Sequence, residues 1–286
     1  HYAIVRLPSD QLPRFIILPE SKKGEHHLMF LDDIVRMSVK YLFPGYILKN
    51  AYSIKLTRDS ELYIDDEYQG DLVAKIKKSL IKRSVGPVSR LVYDRSMPAN
   101  MMKLLKKTFD IMQVDTIPEG KYHNNFDFFK FPDFGKSFLK EPVLEPLTYE
   151  PIENSEDIFE TISRKDRMIH VPYQKYESVI KLFEEASKDD NVTHIKAVQY
   201  RVAKESRIMD ALIDAARAGK SVSVFIEVKA RFDEEANLRW GEKLEKAGAK
   251  VMYSFPGLKV HSKIAWIRRK EKNNYRTYAY LSTGNF

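Results

Sequence analysis

The fold is decided by "THIKAVQYRVAKESRIMDALIDAARAGKSVSVFIEV", Thr193 to Val228. It opens on a strand-like run, "THIKAVQYR", and closes on "SVSVFIEV", which is rich in β-branched residues. Between them Met209, Leu212, Ile213 and Ala216 recur at helical spacing. Ser206 can accept a hydrogen bond from the first turn of that helix, and Gly219 can end it. A strand, a crossover helix and a second strand make a βαβ unit, in which the two strands run parallel.

The same grammar extends on both sides. Upstream, "DRMIHVP" predicts a short strand, and Tyr176, Val179, Ile180 and Phe183 mark one face of a helix. Downstream, Asp233 can cap a helix with Ala236, Trp240, Leu244 and Ala247 on one face, which Gly248 ends. "AKVMYSF", "KVHSKIAWIRR" and "RTYAYLS" then read as strands. Residues 148–286 are therefore expected to form an α/β domain with a mostly parallel sheet. Residues 1–147 mix strands ("AYSIKLTRDSELYI", "VSRLVYD") and helices ("DLVAKIKKSLIKR", "MPANMMKLLKKTF") without that order, and predict an α+β domain. The boundary is set near 147, where Pro132, Pro142, Pro146 and Pro151 favour an extended connector.

The 286 residues are 43% hydrophobic and 31% charged, a globular composition. No apolar run reaches the length of a membrane span, and the opening "HYAIVRLPSD" has neither a signal peptide's pattern nor an initiator Met. The chain is read as a piece of something longer. Without cysteine there is neither a disulfide nor a thiolate metal site, which suits the cytoplasm. A net charge of +8 points to polyanionic partners, although a run such as Lys75–Arg83 fits a solvated helix face equally well. Neither GxxxxGK[ST] nor GxGxxG occurs.

In a parallel sheet, ligands bind beyond the carboxyl ends of the strands. Arg201 closes the first strand quoted above, and Arg231 lies three residues past Val228. Arginine grips phosphate as a permanently charged fork. In "GLKVHSKIAWI", His261 and Lys263 stand two apart in an otherwise apolar strand, so they are expected to share a face. A buried lysine is costly unless an anion meets it. Asn285 follows Gly284 in "STGNF", just past another strand. Two arginines, a lysine, a histidine and an asparagine on one rim would make a phosphate site with a nucleophile in it. His26, His27, His123, His170 and His194 have no metal-ligand spacing and receive no role.

"VKARFDEEANLRWGEKLEKAGAKVMYSFPGLKVHSKIAWIRR", "YLSTGNF", "AVQYRVAKES" and "YHNNFDFFKFPDF" together resemble the long bacterial type of polyphosphate kinase over essentially the whole chain. The resemblance implies a middle, linking domain followed by the first of two catalytic domains of phospholipase D-like fold. That fold's hallmark is H-x-K with a later G-x-N-type turn, here His261, Lys263 and Gly284–Asn285. The aspartate that phospholipases carry five residues after the lysine is replaced by Arg268. It further implies that His261 is phosphorylated by ATP and passes the group reversibly to polyphosphate. Arg201 and Arg231 are implied at a magnesium–phosphate site; arginine cannot ligate Mg2+, so both are read as clamping phosphate oxygens beside it. ATP, ADP and polyphosphate are the implied partners, in a cytoplasmic homo-oligomer, with association to a membrane surface left open and no nucleic acid expected. Two rivals stand beside this reading. A phospholipase D-like phosphodiesterase or nuclease would also use His261 and Lys263, and a non-catalytic nucleic-acid-binding module would use the basic charge.

Overall fold

The architecture was obtained as a computed structural model that describes residues 1–58, 71–83, 86–230, 232–255 and 257–286. The chain divides into two compact units. One takes residues 1–143 except a stretch ending at Lys82, and the other takes that stretch together with Leu144–Phe286.

In the first unit β1 (Phe15–Leu18) and β2 (His27–Phe30) pair antiparallel and lead into α1 (Leu31–Leu42). A second sheet holds β3 (Ile54–Arg58) and, beyond the intervening α2 (Leu72–Arg83), β4 (Val88–Asp94); after α3 (Ala99–Phe109) it is completed by β5 (Thr116–Glu119). β3 and β4 are antiparallel, whereas α3 carries the chain back so that β4 and β5 run parallel. Leu91 and Leu105 are buried between this sheet and α3, with Ile54, Leu56, Tyr93 and Met101 packed against them.

α2 belongs to the second unit, although the sequence set it with the first. Asp71 caps it, its Oδ1 accepting from Val73 N at 2.9 Å and Ala74 N at 3.2 Å. Leu72 and Ile76 join the core of the second unit, where Phe159, Phe183, Ile195, Leu212, Ile226 and Leu244 are buried. That core is built by α4 (Glu150–Glu153), α5 (Ile158–Arg164), α6 (Glu177–Lys188), β6 (Val192–Gln199), α7 (Arg207–Arg217), β7 (Ser221–Ile226), α8 (Glu234–Lys246), β8 (Lys250–Tyr253), β9 (Lys263–Glu271) and β10 (Asn274–Ser282). Ser206 caps α7 through Met209 N, and Gly219 takes the left-handed φ of 83° just past its end. "DRMIHVP" forms no strand; it lies between α5 and a turn whose Gln174 bridges Leu147.

The five strands lie in the order β10-β9-β6-β7-β8. β6, β7 and β8 are parallel, as α/β grammar requires, while β9 runs antiparallel to both β6 and β10. The sheet is therefore mixed rather than mostly parallel. The cause is loop length. Among the described residues no helix lies between β8 and β9 to return the chain to the far edge, and β9 joins β10 through a tight hairpin.

Candidate functional site

This mixed order has a consequence for chemistry. β6, β7 and β8 end at one edge of the sheet. β9, running the other way, begins there, since Ala197 near the end of β6 pairs with Ala265 near the start of β9. Ser282 of β10 pairs with Lys263, so β10 ends at the same edge. Tyr200 and Arg201 after β6, Glu227 after β7, Ser254 after β8, His261 and Lys263 at the start of β9, and Gly284–Asn285 after β10 thus come off one rim.

Tyr200 is the hub of this rim. Its ring lies edge to face with the His261 imidazole, centroids 4.7 Å apart. Lys263 Nζ stands 4.9 Å from the Tyr200 centroid, and the Arg201 guanidinium carbon 5.6 Å. Nothing in the sequence marked Tyr200, because an aromatic at a strand end reads as core.

His261 and Lys263 do come together, but not as two residues of one strand. β9 begins at Lys263, so His261 precedes it and is exposed. Lys263 is only 4% exposed, and its Nζ donates to the His261 carbonyl at 2.7 Å. Burial, with the Arg201 charge adding to it, pushes the Lys263 ammonium below its ordinary pKa of 10.5. A cation held under that penalty gains when an anion arrives.

Arg201 is half exposed, and its Nε lies 3.2 Å from Asp233 Oδ2. Asp233 was expected to cap α8 but makes no such side-chain bond; it spends its carboxylate on Arg201. Asn285 is exposed beyond β10, where Ser282 Oγ accepts from Gly284 N at 2.9 Å. Arg231 lies outside the described residues.

Beneath the rim is a layer of buried polar groups that the strand pattern hid. Glu227 is fully buried. Its Oε1 accepts from Lys229 N and Ser254 Oγ, and its Oε2 from Val260 N, all at 2.9 Å. One carboxylate thus ties the ends of β7 and β8 to the residue before His261. Asn237 of α8 donates to the Tyr200 carbonyl at 2.8 Å and to the Glu227 carbonyl at 2.9 Å, fixing the ends of β6 and β7 to the helix. Gln199 is also fully buried, and among the described residues neither end of its amide has a partner. Most buried amides are paired, so this one carries a cost in folding.

Comparison with known proteins agrees on one family. The family model described as polyphosphate kinase middle domain matches residues 1–131, and polyphosphate kinase C-terminal domain 1 matches 157–286. The polyphosphate kinase of Vibrio cholerae is 40% identical over 290 residues, and that of Escherichia coli K12 is 40% identical over 292. Each alignment takes in the whole chain but only 41% and 42% of the relative. The crystal structure of polyphosphate kinase from Porphyromonas gingivalis superposes with a TM-score of 0.76 at 37% identity, over 98% of this chain and 40% of that one. The chain spans about two fifths of the length of the relatives it matches, and on the two family models, which leave only 132–156 between them, it belongs to the polyphosphate kinase family.

Proposed function

We propose that this chain carries the phosphoryl-accepting side of a polyphosphate kinase site, with His261 taking the γ-phosphate of ATP and handing it to the end of a polyphosphate chain. The observation behind this reading is the gathering of His261, Lys263 and Arg201 around Tyr200 at one sheet edge. In the first half, a lone pair of the imidazole attacks the γ-phosphorus. The bond from that phosphorus to its bridging oxygen breaks, and ADP leaves with the electron pair. The other ring nitrogen keeps its proton, so the phosphorylated ring is positively charged and a ready leaving group. In the second half, a terminal oxygen of polyphosphate attacks the same phosphorus. The N–P bond breaks, and its electrons return to the ring. Both halves run in either direction.

Phosphoryl transfer asks mostly for positioning and charge stabilisation. The edge-on contact with Tyr200 limits rotation of the imidazole, and the Glu227 bond to Val260 N holds the backbone next to it. Lys263 offers a desolvated charge, and Arg201 a fork for two phosphate oxygens. Arg231 is assigned to the same phosphate by the family resemblance, and Asn285 by its place just past β10 on this rim. Magnesium fits here only through phosphate: among the described residues no three His, Cys, Asp or Glu side chains gather to hold a cation. Glu227 is filled by its three donors, and Asp233 is paired with Arg201. A magnesium ion carried in on ATP would neutralise phosphate charge.

Residues 1–147 are assigned the linking role and 148–286 the first catalytic domain of a cytoplasmic homo-oligomer. Among the described residues, no helix is long and apolar enough to cross a membrane. The test uses the parent protein with ATP labelled at the γ-phosphate. The expected product is an acid-labile, base-stable phosphoprotein that His261→Ala abolishes. Full labelling of His261→Ala would overturn the assignment. Cleavage of a simple phosphodiester without nucleotide would favour a phospholipase-type hydrolase.

A further inference from the structure

The first unit has a cleft that the mechanism above does not use. Its three-stranded sheet buries one face: Ile54 and Leu56 of β3, with Leu91 and Tyr93 of β4, pack in the cluster with Leu105. Alternation sends Lys55 and Thr57, and Arg90 of β4, to the opposite face. The register sets Thr57 directly across from Arg90, and Lys55 across from Val92. These residues, with Glu119 and the turn at His123 and Asn124, line a cleft of about 210 Å³.

A solvated sheet face would also show scattered charges. Three features separate this one from that. First, its wall is fixed. Asn124 takes a left-handed φ of 66° and is gripped on both sides, its Oδ1 accepting from Lys55 Nζ at 2.9 Å and its Nδ2 donating to Asp127 Oδ2 at 2.8 Å. The Arg14 guanidinium, itself almost wholly buried, donates to Asp127 at 2.8 Å and to the His123 carbonyl at 2.9 Å. Second, the Arg90 guanidinium makes no hydrogen bond or ion pair among the described residues, so a planar fork of five N–H groups stands uncommitted beside Lys55. Third, His123 is 7% exposed and its Nε2 lies 3.0 Å from the Gly120 carbonyl, which fixes the ring as part of the wall.

The cleft thus offers strong donors from Lys55 and Arg90 and an acceptor from Glu119. An anion without a proton would satisfy the first pair and be repelled by Glu119. A phosphate that still has a hydroxyl to give satisfies both. Singly esterified phosphates lose their last proton near pH 6, whereas a diester has no such proton. We propose that this cleft binds a terminal phosphate group, as found in inorganic phosphate or at the end of a phosphate chain. The proposal does not depend on the chemistry at His261.

The test follows the ring resonances of His123 by NMR in the whole chain, assigned by their loss in His123→Asn. Inorganic phosphate, tripolyphosphate and dimethyl phosphate are titrated in turn. Both of the first two should move the His123 signal, and the diester should bind at least about tenfold more weakly, having no proton to donate. Arg90→Ala, at an exposed position, should weaken the response about tenfold, and Arg90→Lys less, because a point charge lacks the fork. Arg201→Ala should leave the His123 response intact, which separates this cleft from the rim of the second unit. A tighter response to tripolyphosphate would assign the cleft to chain ends, and an equal one to free phosphate. An unmoved His123 signal in the folded chain, a diester that binds as well as phosphate, or an Arg90→Ala chain that titrates like the wild type would overturn the proposal.

Discussion

Glu227→Gln is the most informative change near the rim, because it alters one atom and leaves volume and packing alone. The carboxylate accepts three bonds, two on Oε1 and one, from Val260 N, on Oε2. An amide has one acceptor and one donor end. If its oxygen keeps Lys229 N and Ser254 Oγ, its NH2 faces the Val260 N–H, donor against donor. If it turns over, Val260 is kept and the Lys229 N–H is stranded instead. At the least one buried, charge-assisted bond is lost and one backbone donor is left unpaired, which costs about 2–3 kcal/mol. The amide would choose the arrangement that strands Val260, since that breaks one bond rather than two. The residue released is the one before His261. A displacement of about 1 Å in a reacting group can cost roughly 100-fold in rate. The expected result is a destabilisation of about 2–3 kcal/mol in denaturant unfolding, together with a phosphohistidine formation rate in the parent protein lowered by one to two orders of magnitude. Hydrogen exchange at the Val260 amide, slow in the wild type, should become fast. Wild-type exchange at Val260 combined with a wild-type rate would refute the reasoning, because Glu227 would then be holding nothing that matters to His261.

Lys263→Met should change the pH dependence of stability. The folded pKa lies below the unfolded 10.5, so the charged lysine opposes folding at neutral pH, and that opposition fades as pH rises through the folded value towards 10.5. The stability of Lys263→Met relative to wild type should therefore be greatest near neutrality and shrink in alkaline solution, as read by thermal unfolding, while phosphate affinity is lost. Gln199→Met, close in shape and without the unpartnered amide, should stabilise the chain by about 1–2 kcal/mol in denaturant titration, unless ligand is what satisfies that amide, in which case nucleotide turnover should fall as stability rises. Arg201→Ala in the parent protein should lower kcat by about 100-fold, with Arg201→Lys recovering part of it, and near-normal turnover in the alanine variant would make Arg201 a surface residue.

Much of the second unit was legible because its helices and parallel strands carry clear local signals, a 3.6-residue period in α7 and α8 and β-branched residues in β6 and β7. What failed was direction. Periodicity says that β9 is a strand but not which way it runs, and direction depended on the loop after Tyr253 being too short for a helix. His261 and Lys263 were singled out on the premise that both lie on one strand. The strand starts two residues late, and it is the Tyr200 ring and the His261 carbonyl that bring them together. Asp233 looked like a cap because α8 follows it, yet an arginine nearby in space competes better for its charge. Glu227 and Gln199 were invisible for a common reason: each sits at the end of an apolar run and reads as its last polar residue. Their burial is decided by neighbours contributed from other strands, which local sequence does not contain.

The position of α2 bears on how this protein can be taken apart. A span that lies between two strands of the first unit supplies Leu72 and Ile76 to the core of the second. Backbone continuity and spatial membership therefore disagree, and no single scission yields both units whole. A recombinant piece starting at the connector would lack two aliphatic side chains from its interior, each contributing about 1.5–3 kcal/mol by burial, a large part of what holds a domain of that size together. Swapping the second unit between homologues at that junction would pair one parent's α2 with the other parent's sheet. The interchangeable module is a discontinuous one, and a chimaera should carry α2 across with the sheet it covers.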